Sequence, residues 1–234
     1  MEIDYQNIKV VGFDADDTLW VNETYFREAE AEFSKLLSKY ETPNKIDQEL
    51  FKKEIDNLKL YGYGVKAFTL SMVESALELS NYQISAKTID AILNIGKDML
   101  NKPVELLEGV EEVLITLSKK YRLILATKGD LLDQERKLEK SGLTKYFHHI
   151  EVLSDKKEDN YSRLLNHLDI KPSEFLMVGN SLKSDVLPLV NIKAHAVHVP
   201  FHTTWAHEEV TEEEKNGKAY KTVSSLKSLT TILK

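Results

Sequence analysis

The chain has 234 residues, 42% apolar and 29% charged, with 31 basic against 38 acidic side chains and a net charge of −7. That is an ordinary globular composition, large enough to bury roughly 70–75% of its unfolded surface in one core or in a core carrying a smaller insertion. The lack of cysteine excludes thiolate nucleophiles, zinc–thiolate and iron–sulfur sites and disulfides, and the acidic balance argues against a nucleic-acid partner. With no basic-then-apolar leader and no apolar run of about 18 residues, no membrane partner and a cytoplasmic location are expected.

Residues 8–14 (IKVVGFD) are almost continuously apolar and end in an acid, the pattern of a parallel strand buried on both faces with chemistry at its carboxyl end. Four helical stretches follow, at 23–40, 45–60, 65–80 and 86–100, separated by Thr42-Pro43-Asn44, by Gly62 and Gly64, and by 81–85, where Ser85 is a candidate N-cap. In the first, Phe26, Ala29, Phe33, Leu36, Leu37 and Tyr40 form a helical stripe, expected to be core rather than a recognition surface. After Pro103 the pattern alternates: helix 109–119, strand 122–127, helix 130–141, strand 149–153, helix 160–168, strand 175–179, helix 184–190, strand 194–199. A charged loop at 207–221 and a terminal helix near 223–233 complete the chain. Such alternation predicts an α/β fold with a Rossmann-like parallel sheet core, built from 1–20 and 102–234 and interrupted by an all-helical domain at 21–101.

The chemistry concentrates in VVGFDADDTLW, residues 10–20. Asp14, Asp16 and Thr18 are spaced by two, so an extended chain puts them on one side, at the sheet edge where open α/β folds bind ligands. With 14 Asp and 14 Thr in the chain, D-x-D-x-T arises by chance only about 0.05 times, so its place after a buried strand is significant. One carboxylate can attack phosphorus while the second protonates the leaving oxygen, and a divalent cation relieves their repulsion with phosphate. Asp17 is out of phase and is expected to cap a helix, with no catalytic role.

At these residues the chain resembles the haloacid dehalogenase superfamily of phosphohydrolases. The resemblance implies Asp14 as nucleophile, Asp16 as acid/base and main-chain metal ligand, and Thr18 as support for the turn. The family's second motif is matched by LILAT at 123–127, which implies that Thr127 binds a phosphoryl oxygen; the amides of Lys128 and Gly129 could add donors. The third is a lysine ahead of a helix, and in SDKKEDNYSRLL the acid Asp155 and the aromatic Tyr161 favour Lys156 over Lys157. The fourth is matched by FLMVGNSLKSDV: Gly179 and Asp185 fit, Ser181 helps shape the loop, and Asn180 stands where an Asp often binds the metal. An amide oxygen still suits Mg²⁺ but contributes less charge, so Asp14, Asp16, Asn180 and Asp185 are the expected metal set. The helical domain takes the position of the family's substrate-selecting cap.

The resemblance thus implies an Mg²⁺-dependent phosphatase that takes a small phosphorylated metabolite and passes through an aspartyl-phosphate. The alternatives are a 2-haloacid dehalogenase, in which the second Asp tends to be absent, a phosphomutase, or a catalytically weak phosphate-binding protein. All seven histidines lie between 148 and 207, but His195 and His198 face opposite sides of a strand and Pro200 prevents a helix from aligning His202 and His207, so a zinc cluster is not expected. The segment HVPFHTTWAHE, with Trp205, follows the last core strand and could border the site; Glu212 to Glu214 reads as solvated surface.

Overall fold

A computed structural model describes residues 5–233. In chain order the elements are β1 (Val10–Phe13), α1 (Glu23–Leu37), α2 (Pro43–Tyr61), α3 (Val65–Leu79), α4 (Ala86–Asn101), α5 (Val110–Leu117), β2 (Arg122–Lys128), α6 (Leu131–Ser141) and β3 (His149–Leu153). They continue with α7 (Glu158–His167), β4 (Phe175–Gly179), α8 (Leu187–Asn191), β5 (His195–His198), α9 (Glu212–Lys215), β6 (Lys221–Thr222) and α10 (Leu229–Ile232). No helix among the described residues is long and apolar enough to cross a membrane.

The chain separates into two compact units. One holds the residues up to Glu23, Val104–Lys128 and Gln134 onward; the other holds Thr24–Pro103 and Gly129–Asp133. The first is a parallel six-stranded sheet in the order β3-β2-β1-β4-β5-β6. β1 is its centre, pairing in register with β2 (Val10 with Arg122) and with β4 (Val10 with Phe175). A strand covered on both faces must be apolar on both, which is why Val10, Val11 and Phe13, interrupted only by Gly12, are fully buried. Each such side chain contributes about 1.5–3 kcal/mol through its removal from water. From β1 the sheet grows toward β2 and β3 on one side and toward β4 on the other, so the carboxyl ends of β1 and β4 flank a topological switch point, where open α/β sheets bind ligands. Here the Rossmann-like reading is correct.

The second unit is α1 to α4 around their own core of Phe33, Leu37, Ile46, Leu50, Met72 and Ile92, with the Phe26 ring edge-on to Phe68 at 5.1 Å. Local chemistry sets its helix ends. Pro43 opens α2 at the first turn, where its missing N–H costs nothing. Gly62, at φ 72°, closes α2 in the left-handed region that favours glycine, and the Ser85 hydroxyl caps α4 by accepting from the Thr88 amide.

Two segments depart from expectation. Where a helix at 184–190 was expected, a π-helical turn at Leu182–Val186 precedes α8. Pro188 has no N–H to offer the Ser184 carbonyl, which instead accepts from the Tyr161 hydroxyl at 3.0 Å. Residues 207–221 are also not merely a loop. Thr211 and Glu214 form a reciprocal capping box that starts α9, a T-x-x-E signature legible in the sequence, and Lys221–Thr222 adds β6 beside β5. The expected terminal helix shrinks to a 3-10 turn at Leu226–Ser228 followed by α10.

Candidate active site

Four strand ends deliver the site. Asp14 follows β1 directly, its amide bonded to the Val178 carbonyl at 2.9 Å so that the ladder to β4 continues to this residue. The Lys156 ammonium, fully buried, donates to Asp14 Oδ1 at 2.5 Å and to Asp185 Oδ1 at 2.6 Å. The other oxygen of each carboxylate is also held: Thr18 Oγ1 donates to Asp14 Oδ2 at 2.9 Å, and the Ser181 amide donates to Asp185 Oδ2 at 3.0 Å. Gly179 has to be glycine, because a Cβ there would lie 2.3 Å from the Asp185 carboxyl carbon. Of the two adjacent lysines, Lys156 occupies the centre; the Lys157 side chain is 72% exposed and pairs with Asp155 at 2.7 Å. Asp155 also accepts the Lys156 amide at 2.8 Å, which turns the chain inward at that residue.

One ammonium against two buried carboxylates leaves an excess negative charge. Burial pushes the Asp14 carboxyl up, Lys156 pulls it down and the Asp185 charge pushes it up again. For Lys156, burial alone would lower the ammonium, yet Asp14 and Asp185 outweigh it and hold it well above the usual lysine range. The Asn180 amide turns a terminal atom toward Asp14 Oδ2, the Asp16 carbonyl oxygen and Thr18 Oγ1, each 3.2 Å away. With its nitrogen inward the amide hydrogen-bonds these oxygens; with its oxygen inward it completes an all-oxygen set. Hard oxygen donors beside excess negative charge fit Mg²⁺.

Asp16 contributes its main chain to this set while its carboxylate is engaged elsewhere. Asp16 Oδ1 accepts from Trp20 Nε1 at 2.7 Å and from Lys137 Nζ at 2.6 Å, and Oδ2 accepts from Gln134 Nε2 at 2.8 Å. Gln134 and Lys137, one helical turn apart on α6, went unrecognised in the sequence; their i, i+3 spacing shortly after Thr127 was the available signal. Asp17 caps α1 through the amides of Asn22 and Glu23, at 2.8 and 2.9 Å, with its backbone at φ 59°.

Thr127 is buried at the end of β2. The next residue's side chain is committed: Lys128 Nζ donates to Ser184 Oγ at 2.8 Å and to Glu208 Oε1 at 2.6 Å. Gly129 belongs to the helical unit, where Asp130 pairs with Lys66 at 2.8 Å. Glu208 was not singled out in the sequence, although the segment that ends on it was. Burial acts to raise its pKa, but Lys128 and the hydroxyls of Ser181 and Ser184 hold it down at about 2. A carboxylate depressed in the fold stabilises the protein above its unfolded pKa and loses that contribution as pH falls from about 4.5 through 2, a span of roughly 3 kcal/mol. Glu208→Gln should therefore unfold several degrees below the parent at pH 7, with about half or more of the gap closed by pH 3. An unchanged gap in thermal scans at the two pH values would contradict this.

Among known families, the model of haloacid dehalogenase-like hydrolases matches residues 8–192. The structure is similar to that of a haloacid dehalogenase-like family hydrolase from Xanthomonas campestris, with TM-score 0.87 and 39% identity, covering 98% of this chain and 92% of that one. An HAD phosphatase from Thermococcus onnurineus shares the fold at TM-score 0.63 and 19% identity, over 97% of this chain and 98% of the other. The chain is also 27% identical over 190 residues, 76% of its length and 77% of the relative's, to N-acylneuraminate-9-phosphatase of Rattus norvegicus.

Proposed function

We propose that this chain, which belongs to the haloacid dehalogenase-like hydrolase family, is an Mg²⁺-dependent phosphatase that cleaves a small phosphomonoester through an aspartyl-phosphate. The observation that carries this reading is the buried Asp14–Lys156–Asp185 constellation, with Thr18 fixing the second oxygen of Asp14.

An Asp14 carboxylate oxygen bonds to phosphorus as the bond to the leaving oxygen breaks, and Asp16 delivers a proton to that oxygen. Asp16 then takes a proton from the water that attacks the acyl phosphate, releasing inorganic phosphate and restoring Asp14. To do so its carboxyl exchanges the hydrogen bonds from Trp20, Gln134 and Lys137 for bonds to substrate and water. Lys156 keeps Asp14 ionised for attack and, with Thr127, stabilises the charge on the transferring phosphoryl group, in a reaction governed by positioning and electrostatics. Asp14, the Asp16 carbonyl, Asn180 and Asp185 would hold Mg²⁺, which would supply Lewis-acid stabilisation of the phosphoryl oxygens.

The substrate is a small phosphorylated metabolite. The test is a panel of phosphomonoesters that includes N-acylneuraminate 9-phosphate, assayed for phosphate release beside halide release from 2-chloropropionate, each with and without EDTA. Phosphate release that EDTA abolishes and Mg²⁺ restores is expected. Halide release indifferent to EDTA would overturn the reading.

A further inference from the structure

We infer that Glu208 is a positioning residue of the hydrolytic site, clamping from the loop after β5 the turn that carries Asp185. This rests on the phosphatase reading and adds a residue that the four family motifs do not contain.

Glu208 stands at the end of a 3-10 turn, Ala206–Glu208, reached after β5 by seven residues that add neither strand nor helix. It nevertheless meets the heart of the site. Its Oε2 accepts from the hydroxyls of both Ser181 and Ser184, the second at 2.6 Å, while Oε1 takes Lys128 from the end of β2. The two serines flank the start of the π-helical turn, and the Ser181 hydroxyl also accepts the Ser184 amide at 3.0 Å. A continuous path of hydrogen bonds therefore runs from Glu208 through Ser181 and its amide to Asp185, on to Lys156 and then to Asp14. His207 docks on the same turn, its carbonyl accepting from Lys183 Nζ at 2.6 Å, and its ring lies 4.8 Å from that of Trp205.

The turn needs such a clamp for a physical reason. A π-helical turn is wider and less stable than α-helix, and it persists where other contacts determine it. Here the Ser181 hydroxyl caps the turn through the Ser184 amide, and both serine hydroxyls are held by one carboxylate. Asp185 is pressed against Gly179 with no room to shift inward, so a relaxed turn moves Asp185 outward and loosens Lys156. Misplacing such groups by about 1 Å costs on the order of a hundredfold in rate. The Lys128 bond makes the same carboxylate tie the end of β2, next to Thr127, to the loop after β4.

The experiment compares Glu208→Gln, Ser181→Ala/Ser184→Ala and Lys128→Met/Glu208→Gln with the full-length parent. The readouts are kcat and KM for a phosphomonoester the parent hydrolyses, hydrogen–deuterium exchange of peptides spanning 182–187, and thermal unfolding. The expected result for Glu208→Gln is a fall in kcat of about 10- to 100-fold, KM within about threefold, and faster exchange in 182–187 while β1 and β4 stay protected. The double serine variant should reproduce this pattern, since it cuts the same link from the other side, and removing Lys128 should not restore kcat. Unchanged kcat and exchange in Glu208→Gln would overturn the clamp. So would recovery of both on adding Lys128→Met, which would make Glu208 no more than a counter-charge. If the parent releases no phosphate from any substrate, the phosphatase reading fails, and the exchange data still decide whether the glutamate holds the turn.

Discussion

Asp14→Asn is expected to fold as well as the parent and to release phosphate at least about 10⁴-fold more slowly. The two halves of that result come from one set of contacts. The amide is isosteric, so it can still accept from Lys156 and face Thr18, but it has no anionic oxygen to attack phosphorus. Removing the charge also removes a burden on the fold. Asp14 is buried beside a second carboxylate, and its ionised form is opposed by burial and by Asp185. In the variant Lys156 faces Asp185 alone, a balanced pair. The melting temperature should therefore equal or exceed that of the parent, which separates lost chemistry from lost structure. A variant that retained the parental rate in a phosphate-release assay would remove Asp14 from the nucleophile's role and the covalent intermediate with it.

Lys156→Met should fail in both respects. It leaves Asp14 and Asp185 in the protein interior without their counter-charge, and breaking a buried ion pair by removing one partner costs about 3–5 kcal/mol. For a chain of this size that lowers Tm by on the order of 10 °C. Turnover should fall by at least about 10³-fold, because the ammonium both keeps Asp14 ionised and balances charge on the phosphoryl group. Lys157→Met is the internal control, since its exposed side chain pairs with Asp155 and not with the buried carboxylates Asp14 and Asp185. Adding Asp185→Asn to Lys156→Met should return much of the lost Tm and none of the rate. A Lys156→Met protein with parental Tm would mean the ammonium does not hold the two carboxylates together.

The sheet was legible because its signals are local and periodic. The run IKVVGFD could only be a strand covered on both faces, and D-x-D-x-T placed just beyond it left little room for accident. Asp155 and Tyr161, matched to the family pattern, favoured Lys156 over Lys157, and the structure places the Lys156 ammonium between Asp14 and Asp185 while Lys157 stays exposed. What stayed hidden has no periodicity. Gln134 and Lys137 matter only because α6 brings them to Asp16, and Glu208 only because a loop more than fifty residues after Lys156 folds back onto two serines. A polar residue takes its meaning from its tertiary partner, and the chain carries no mark of that partner until the sheet is assembled. The π-helical turn was partly legible: Pro188 rules out one α-helical bond, but not what replaces it.

The central place of β1 has a consequence for the order of events as the chain is made. Val10 leaves the ribosome well before its partners on either side, Arg122 and Phe175. Before either exists, the helices from Thr24 to Pro103 have all emerged, with their own apolar core and largely local contacts, and contacts of that kind form fast. The inserted unit is thus expected to fold while the strand that ends at Asp14 is still a loose end. Until β2 emerges VVGF is an unpaired apolar segment, and it is flanked on both sides only when β4 closes the sheet around it.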